Sequence, residues 1–196
     1  MEVTWYGALA MLDLDALSPE QPRPLLRIEY ERLAAGGAFE GEHVELLRGQ
    51  IVTMTPQDAA HINLTARIGS MLVRQLGSEH LVLQQSALAL WSHSMPEPDI
   101  AVVPYGRLIA HADRAFLVVE VAETSLRKDL HIKAPLYAEA GIPAYWVVDR
   151  PNAVVHVLTR PAGGRYTEVA ACRSGEILRV EGLAGVAIAV AELFAP

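Results

Sequence analysis

Two carboxylates and a lysine, far apart along the chain, are the residues most suited to chemistry. Asp99 follows Pro98 in EPDIAVV. Proline cannot donate to a sheet ladder, so it marks a strand entry and places Asp99 at the strand's end. Glu120 interrupts FLVVEVAE, residues 116–123, which otherwise reads as a strand buried on both faces. A lone carboxylate there would lose its water at a cost of several kcal/mol. If the two strands are neighbours, the acids meet, and converging carboxylates repel unless one is protonated or a cation lies between them. Mg2+ is the cation commonly held by one or two carboxylates with water and phosphate oxygens. A buried ion pair with an arginine is the competing reading for Glu120, and a strand-entry cap for Asp99.

The lysine comes from the segment that follows. On a helical wheel at about 100° per residue, Leu126, Leu130, Leu136, Tyr137 and Ala140 form an apolar stripe. Lys133 falls inside this stripe and Asp129 at its edge, and Asp129, Lys133 and Tyr137 stack at i, i+4, i+8. A lysine facing a sheet needs a negative partner or must be neutral; Glu120 is the candidate partner, and the competing reading is that Lys133 snorkels out of the interface or makes a structural pair with Asp129. Lys128 falls on the solvated face and needs no function on this reading. Pro135 should bend the helix. The 16 cationic residues comprise 14 arginines and only these two lysines, Lys128 and Lys133. A lysine kept in such a chain suggests that the amine itself is needed.

The elements that must position these groups can be read from the pattern. A Pro-rich arm or linker covers 1–24, and one domain covers 25–196. Within it a helix at 27–35 precedes a hairpin at 43–54, with its turn near Arg48-Gly49, and a long helix at 58–76. Strands are expected at 81–90, 99–103 and 116–122, a helix at 125–140, then strands at 144–149 and 153–159 with RPAGG as a turn. Shorter strands follow near 166–170, 177–180 and 186–190. That order implies an α/β fold, a mixed sheet with helices on its faces.

Composition limits the classes of function. With 196 residues and 52% hydrophobic content, the chain can bury a sizeable core. A single cysteine, Cys172, excludes an internal disulfide and any multi-cysteine zinc site. No apolar run reaches the length of a membrane span. The first residues carry acids where a secretion signal would carry bases, so a cytoplasmic location is expected. The net charge of −7 argues against tight nonspecific nucleic-acid binding but leaves room for a local basic groove. Arg67 and Arg74, seven apart on one helix, would form a phosphate-facing ridge or an ordinary exposed surface. Tyr145 and Trp146 read as core.

The ordered set VELLRGQIV, the His61 region, EPDIAVV, LVVEVAETS, Asp129, Lys133 and Tyr137, and AGIPAYWVVD resembles the PD-(D/E)XK nuclease superfamily. More narrowly, it resembles a bacterial family of restriction endonuclease-like proteins of Uma type, over about residues 28–158. The resemblance implies a restriction-endonuclease-like core: a mixed sheet flanked by helices, extended by an N-terminal helix and hairpin. It implies that Asp99 and Glu120, with the Val121 carbonyl, bind Mg2+ (or Mn2+), and that Glu45 supplies a further catalytic or metal-binding acid. The superfamily's lysine belongs two residues after the second acid, where this chain has Ala122. The family's lysine on the following helix matches Lys133, and His61, Asp129 and Tyr137 are supporting positions. The implied activity is metal-dependent endonucleolytic hydrolysis of DNA, with a homodimer suited to cutting both strands. The alternative is a catalytically inactive nuclease-fold protein that binds nucleic acid or a protein partner.

Overall fold

The computed structural model describes residues 18–106 and 111–195. The expected arm over 1–24 lies mostly outside these residues. What is described of it, 18–24, forms no helix or strand. The chain is then pinned where Leu25 N–H donates to the Gly49 carbonyl at 3.1 Å.

Helix α1 (Arg27–Ala35) precedes the hairpin of β1 (Val44–Leu47) and β2 (Gln50–Thr53). Arg48 and Gly49 turn the hairpin with φ of 50° and 78°, the left-handed pair that matches the twist of the flanking strands. Helix α2 (Ala59–Gln75) starts at Asp58, whose side chain accepts the His61 N–H at 2.7 Å and so satisfies one of the free donors of the first turn.

The central sheet has six strands in sequential order: β3 (His80–Gln84), β4 (Ile100–Pro104), β5 (Leu117–Ala122), β6 (Ala144–Asp149), β7 (Val154–Ala162) and β8 (Arg165–Cys172). Only β5 and β6 are parallel. The helical segment between them supplies the crossover that a parallel pair requires. A separate pair, β9 (Ile177–Val180) and β10 (Leu183–Ala189), and the short α5 (Val190–Leu193) complete the chain.

Both faces of the sheet are covered, so β5 and β6 are buried along their whole length. On one face Leu64, Ile68 and Leu72 of α2 pack with β9 and β10 over Val119, Val121 and Trp146. On the other, Leu136 and Tyr137 pack over Val118, Tyr145 and Val147. Tyr145 and Trp146 are core residues, as expected.

Three sequence expectations change. The strand expected over 81–90 ends at Gln84, because Gln85 takes a φ of 47° and its N–H turns to the Asp99 carbonyl. Pro161 and Ala162 continue β7, and the turn is confined to Gly163-Gly164. The helix expected over 125–140 is three pieces: α3 (Leu126–Lys128), a π-helical turn (Asp129–Lys133) and α4 (Ala134–Glu139). Pro135 is the physical reason. It lacks an N–H, and its ring crowds the carbonyl four residues back. Widening the turn to an i→i+5 pattern relieves that crowding, and such single-turn bulges are frequent at functional sites.

Candidate functional site

β4 and β5 bring the two acids together. The ladder pairs Ile100 with Val119 and Ala101 with Val118. Directly opposed residues point to the same face, so one further step places Asp99 across from Glu120 at the end of the sheet. The Val121 N–H donates to Asp99 Oδ2 at 2.7 Å. The Val121 carbonyl leaves the strand on that same side, as both backbone groups of a strand residue do. Consistently, the Ala122 carbonyl points the other way and accepts from Arg150 N–H.

Asp99 is fixed from the far layer as well. Its Oδ1 accepts from Gln57 Nε2 and lies 2.9 Å from His61 Nε2. Gln57 is held in turn by Gln85 Nε2, so the left-handed Gln85 that ends β3 also steadies the acid. Gln57 and Gln85 were missed in the sequence. An isolated glutamine carries no pattern signal, and this pair meets only through the turn after β3.

Glu120 meets the lysine predicted for it. Lys133 Nζ lies 2.9 Å from Glu120 Oε1 and 3.0 Å from Glu45 Oε2. Tyr137 O–H donates to the same Glu120 Oε1 at 2.9 Å. The π turn buries Asp129 and Lys133, and the start of α4 buries Tyr137. The predicted stack of Asp129, Lys133 and Tyr137 therefore faces the sheet. Ser125 Oγ donates to Asp129 Oδ2 at 2.6 Å, and the Asp129 carbonyl accepts from Tyr145 O–H.

Glu45 is fully buried, not a solvent-facing strand acid. Its Oε2 receives Lys133 and its Oε1 lies 3.2 Å from Lys128 Nζ. Lys128 is therefore not a bare surface residue. The wheel had it pointing to solvent, and the π turn removes the regular 100° step on which that placement depended. Arg67 does not form a phosphate-facing ridge, because its guanidinium caps the carbonyls of Glu192, Leu193 and Ala195.

These residues surround a cavity of about 210 Å³. Its wall includes Asp99, Glu120, Val121, Asp129, Lys128 and Lys133, with Gln57 and His61 on the α2 side. Glu45 does not line it and stands behind the lysines. Arg150 braces the rim by pairing with Asp58 and Glu123.

The electrostatics follow from burial. Desolvation pushes the Glu120 carboxyl up to about 8, opposed by Lys133 and reinforced by Asp99, Asp129 and Glu45. For Lys133 burial acts to lower the pKa, but Glu120, Glu45 and Asp129 outweigh it and the ammonium stays charged. Burial also raises the Asp129 carboxyl, against the pull of Lys133 and Ser125.

Both donors to Glu120 reach Oε1, which leaves Oε2 with no protein donor among the described residues. Among those residues, no three His, Cys, Asp or Glu side chains form a chelating cluster. The donors present are two carboxylates and a backbone carbonyl beside a cavity with room for several waters. That set fits Mg2+ or Mn2+, which keep several waters.

Over residues 28–191 the chain matches the family described as “Uma2: Putative restriction endonuclease”. The chain belongs to that family. Among solved structures, it is similar to the crystal structure of a “putative nuclease belonging to DUF820” from Anabaena variabilis ATCC 29413. The two are 16% identical and superpose with a TM-score of 0.66, over 88% of this chain and 98% of that one. At that identity the match shows the shared fold. No curated protein matches the chain. Among the described residues, no helix is long and apolar enough to cross a membrane.

Proposed function

We propose that this Uma2-family chain is a nuclease that hydrolyses DNA phosphodiester bonds with Mg2+ or Mn2+. The observation that carries the reading is the pairing of Asp99 with Glu120 at the ends of adjacent strands, with Glu120 Oε2 left open beside the cavity. Asp99, Glu120 and the Val121 carbonyl would hold the ion. Bound there, it would polarise a phosphate oxygen and lower the pKa of a coordinated water.

The chain's own groups do the rest. Gln57 and His61 orient Asp99. Tyr137 and Lys133 fix Glu120 Oε1 and turn Oε2 outward. Two of the three Lys133 N–H donors are directed at Glu120 and Glu45. The third is left to orient a water or to stabilise charge growing on the phosphate in the transition state. With both its oxygens directed at lysines, Glu45 holds the amines rather than an ion. A homodimer would place two such sites on opposite strands, and DNA as substrate fits a cytoplasmic location.

Plasmid cleavage in Mg2+ or Mn2+ tests this. The wild-type protein is expected to cut, and Asp99→Ala to lose more than about a hundredfold in rate while melting as a folded protein. Equal rates for the two would remove the reading. A second reading is favoured by the ion pairs themselves: Lys133 is held between Glu120 and Glu45, and Lys128 on Glu45, as they would be in a non-catalytic binding protein of this fold. Calorimetric titration with Mn2+ separates the two, because heat lost in Glu120→Gln supports the metal site.

A further inference from the structure

Lys128 and Lys133 converge on one carboxylate but differ in access. The Lys133 side chain is 1% exposed and sits between two acids at 2.9 and 3.0 Å. The Lys128 side chain is 28% exposed, lines the cavity, and among the described residues has a single partner, Glu45 Oε1, at 3.2 Å. An ammonium carries three donors, so two of those on Lys128 are uncommitted. From this difference we infer that Lys128 is the residue that grips a backbone phosphate of the nucleic acid, while Lys133, pinned between its two acids, is left with one N–H for the reacting group.

Charge supports the division of labour. The cavity wall carries five carboxylates, Asp58, Asp99, Glu120, Glu123 and Asp129, against two lysines. Arg150, at the rim, is occupied by Asp58 and Glu123, and the Nε2 edge of His61 faces Asp99. Among the described residues, a phosphate entering here meets one accessible fixed cation, Lys128. Once Glu120 shares its charge with a dication, Lys128, Glu45 and Lys133 together carry +1, and the exposed end of that triad is Lys128. Neutralising the buried Glu45 alone would take one lysine, and Lys133 already does so.

The inference rests on the nuclease reading, and its test is arranged so that the two can fail separately. Binding of a short labelled duplex is measured across a salt series in Ca2+, for wild type, Lys128→Met and Lys128→Arg, beside Mn2+-dependent cleavage. Removing one phosphate contact lowers the slope of log K against log salt by about 0.9. Lys128→Met is expected to show that loss, with KM up about tenfold and kcat close to wild type. Lys128→Arg keeps the charge and is expected to restore the slope. A purely structural role for Lys128 would lower the melting temperature and leave the slope unchanged, and that result would overturn the inference. So would an absence of salt-dependent binding by wild type. Absence of cleavage with the slope change intact would overturn the nuclease reading and leave the phosphate contact standing.

Discussion

Glu120 shows how one residue's surroundings set its chemistry. Its carboxyl is buried, receives both protein donors on one oxygen, and is pushed up to about 8 by desolvation. A proton it retains belongs on Oε2, the oxygen a cation would use. The ordinary carboxyl value of 4.5 applies to the unfolded chain, so between about pH 4.5 and 8 the folded state binds the extra proton. Stability of the metal-free protein should therefore fall as pH rises through that window. Lys133, raised above its ordinary value, adds no slope there, since its contribution is complete below pH 10.5. Urea midpoints in EDTA at pH 5 and pH 8 check this: wild type should lose stability, and Glu120→Gln should flatten the change. A flat wild-type profile would mean that Glu120 is ionised throughout.

At the scale of elements, a few local devices aim the site. The end of α3 and the π turn that Pro135 forces after it carry Lys128, Asp129 and Lys133 onto one wall. The β1–β2 hairpin carries Glu45 beneath them. That hairpin depends on Gly49, which has φ of 78° and lies so close to Pro24 that an added Cβ would come within 2.2 Å of its side chain. Gly49→Ala should cost more than about 1 kcal/mol, seen as a lower urea midpoint. Cleavage should fall further than stability predicts, because Glu45 moves with the hairpin. An unchanged midpoint would show that residues 18–25 yield without strain.

For the whole molecule, charge decides how a polyanion can be approached. The chain carries −7 overall, and its cavity wall is acidic. Duplex DNA should therefore bind poorly in EDTA at physiological salt and well in Ca2+, by gel shift. Equal binding in both would place the DNA on some other surface. The six-stranded sheet makes the cavity possible by ending two adjacent strands at the point where α2, the hairpin and the π turn all arrive.

Sequence alone determined the parts whose cause is local. Periodicity and turn chemistry marked α1, the hairpin, α2 and the central strands. The carboxylate inside an apolar strand and the lysine inside an apolar helical stripe each revealed a group needing a partner. Tertiary structure decided the rest, because partners are set by register and layer packing. Antiparallel pairing put Asp99 opposite Glu120. The π turn brought Lys128 to the wall after a regular wheel had sent it to solvent. The left-handed turn at Gln85, after β3, placed Gln57 on Asp99, and burial of the hairpin turned Glu45 into the acid that holds both lysines.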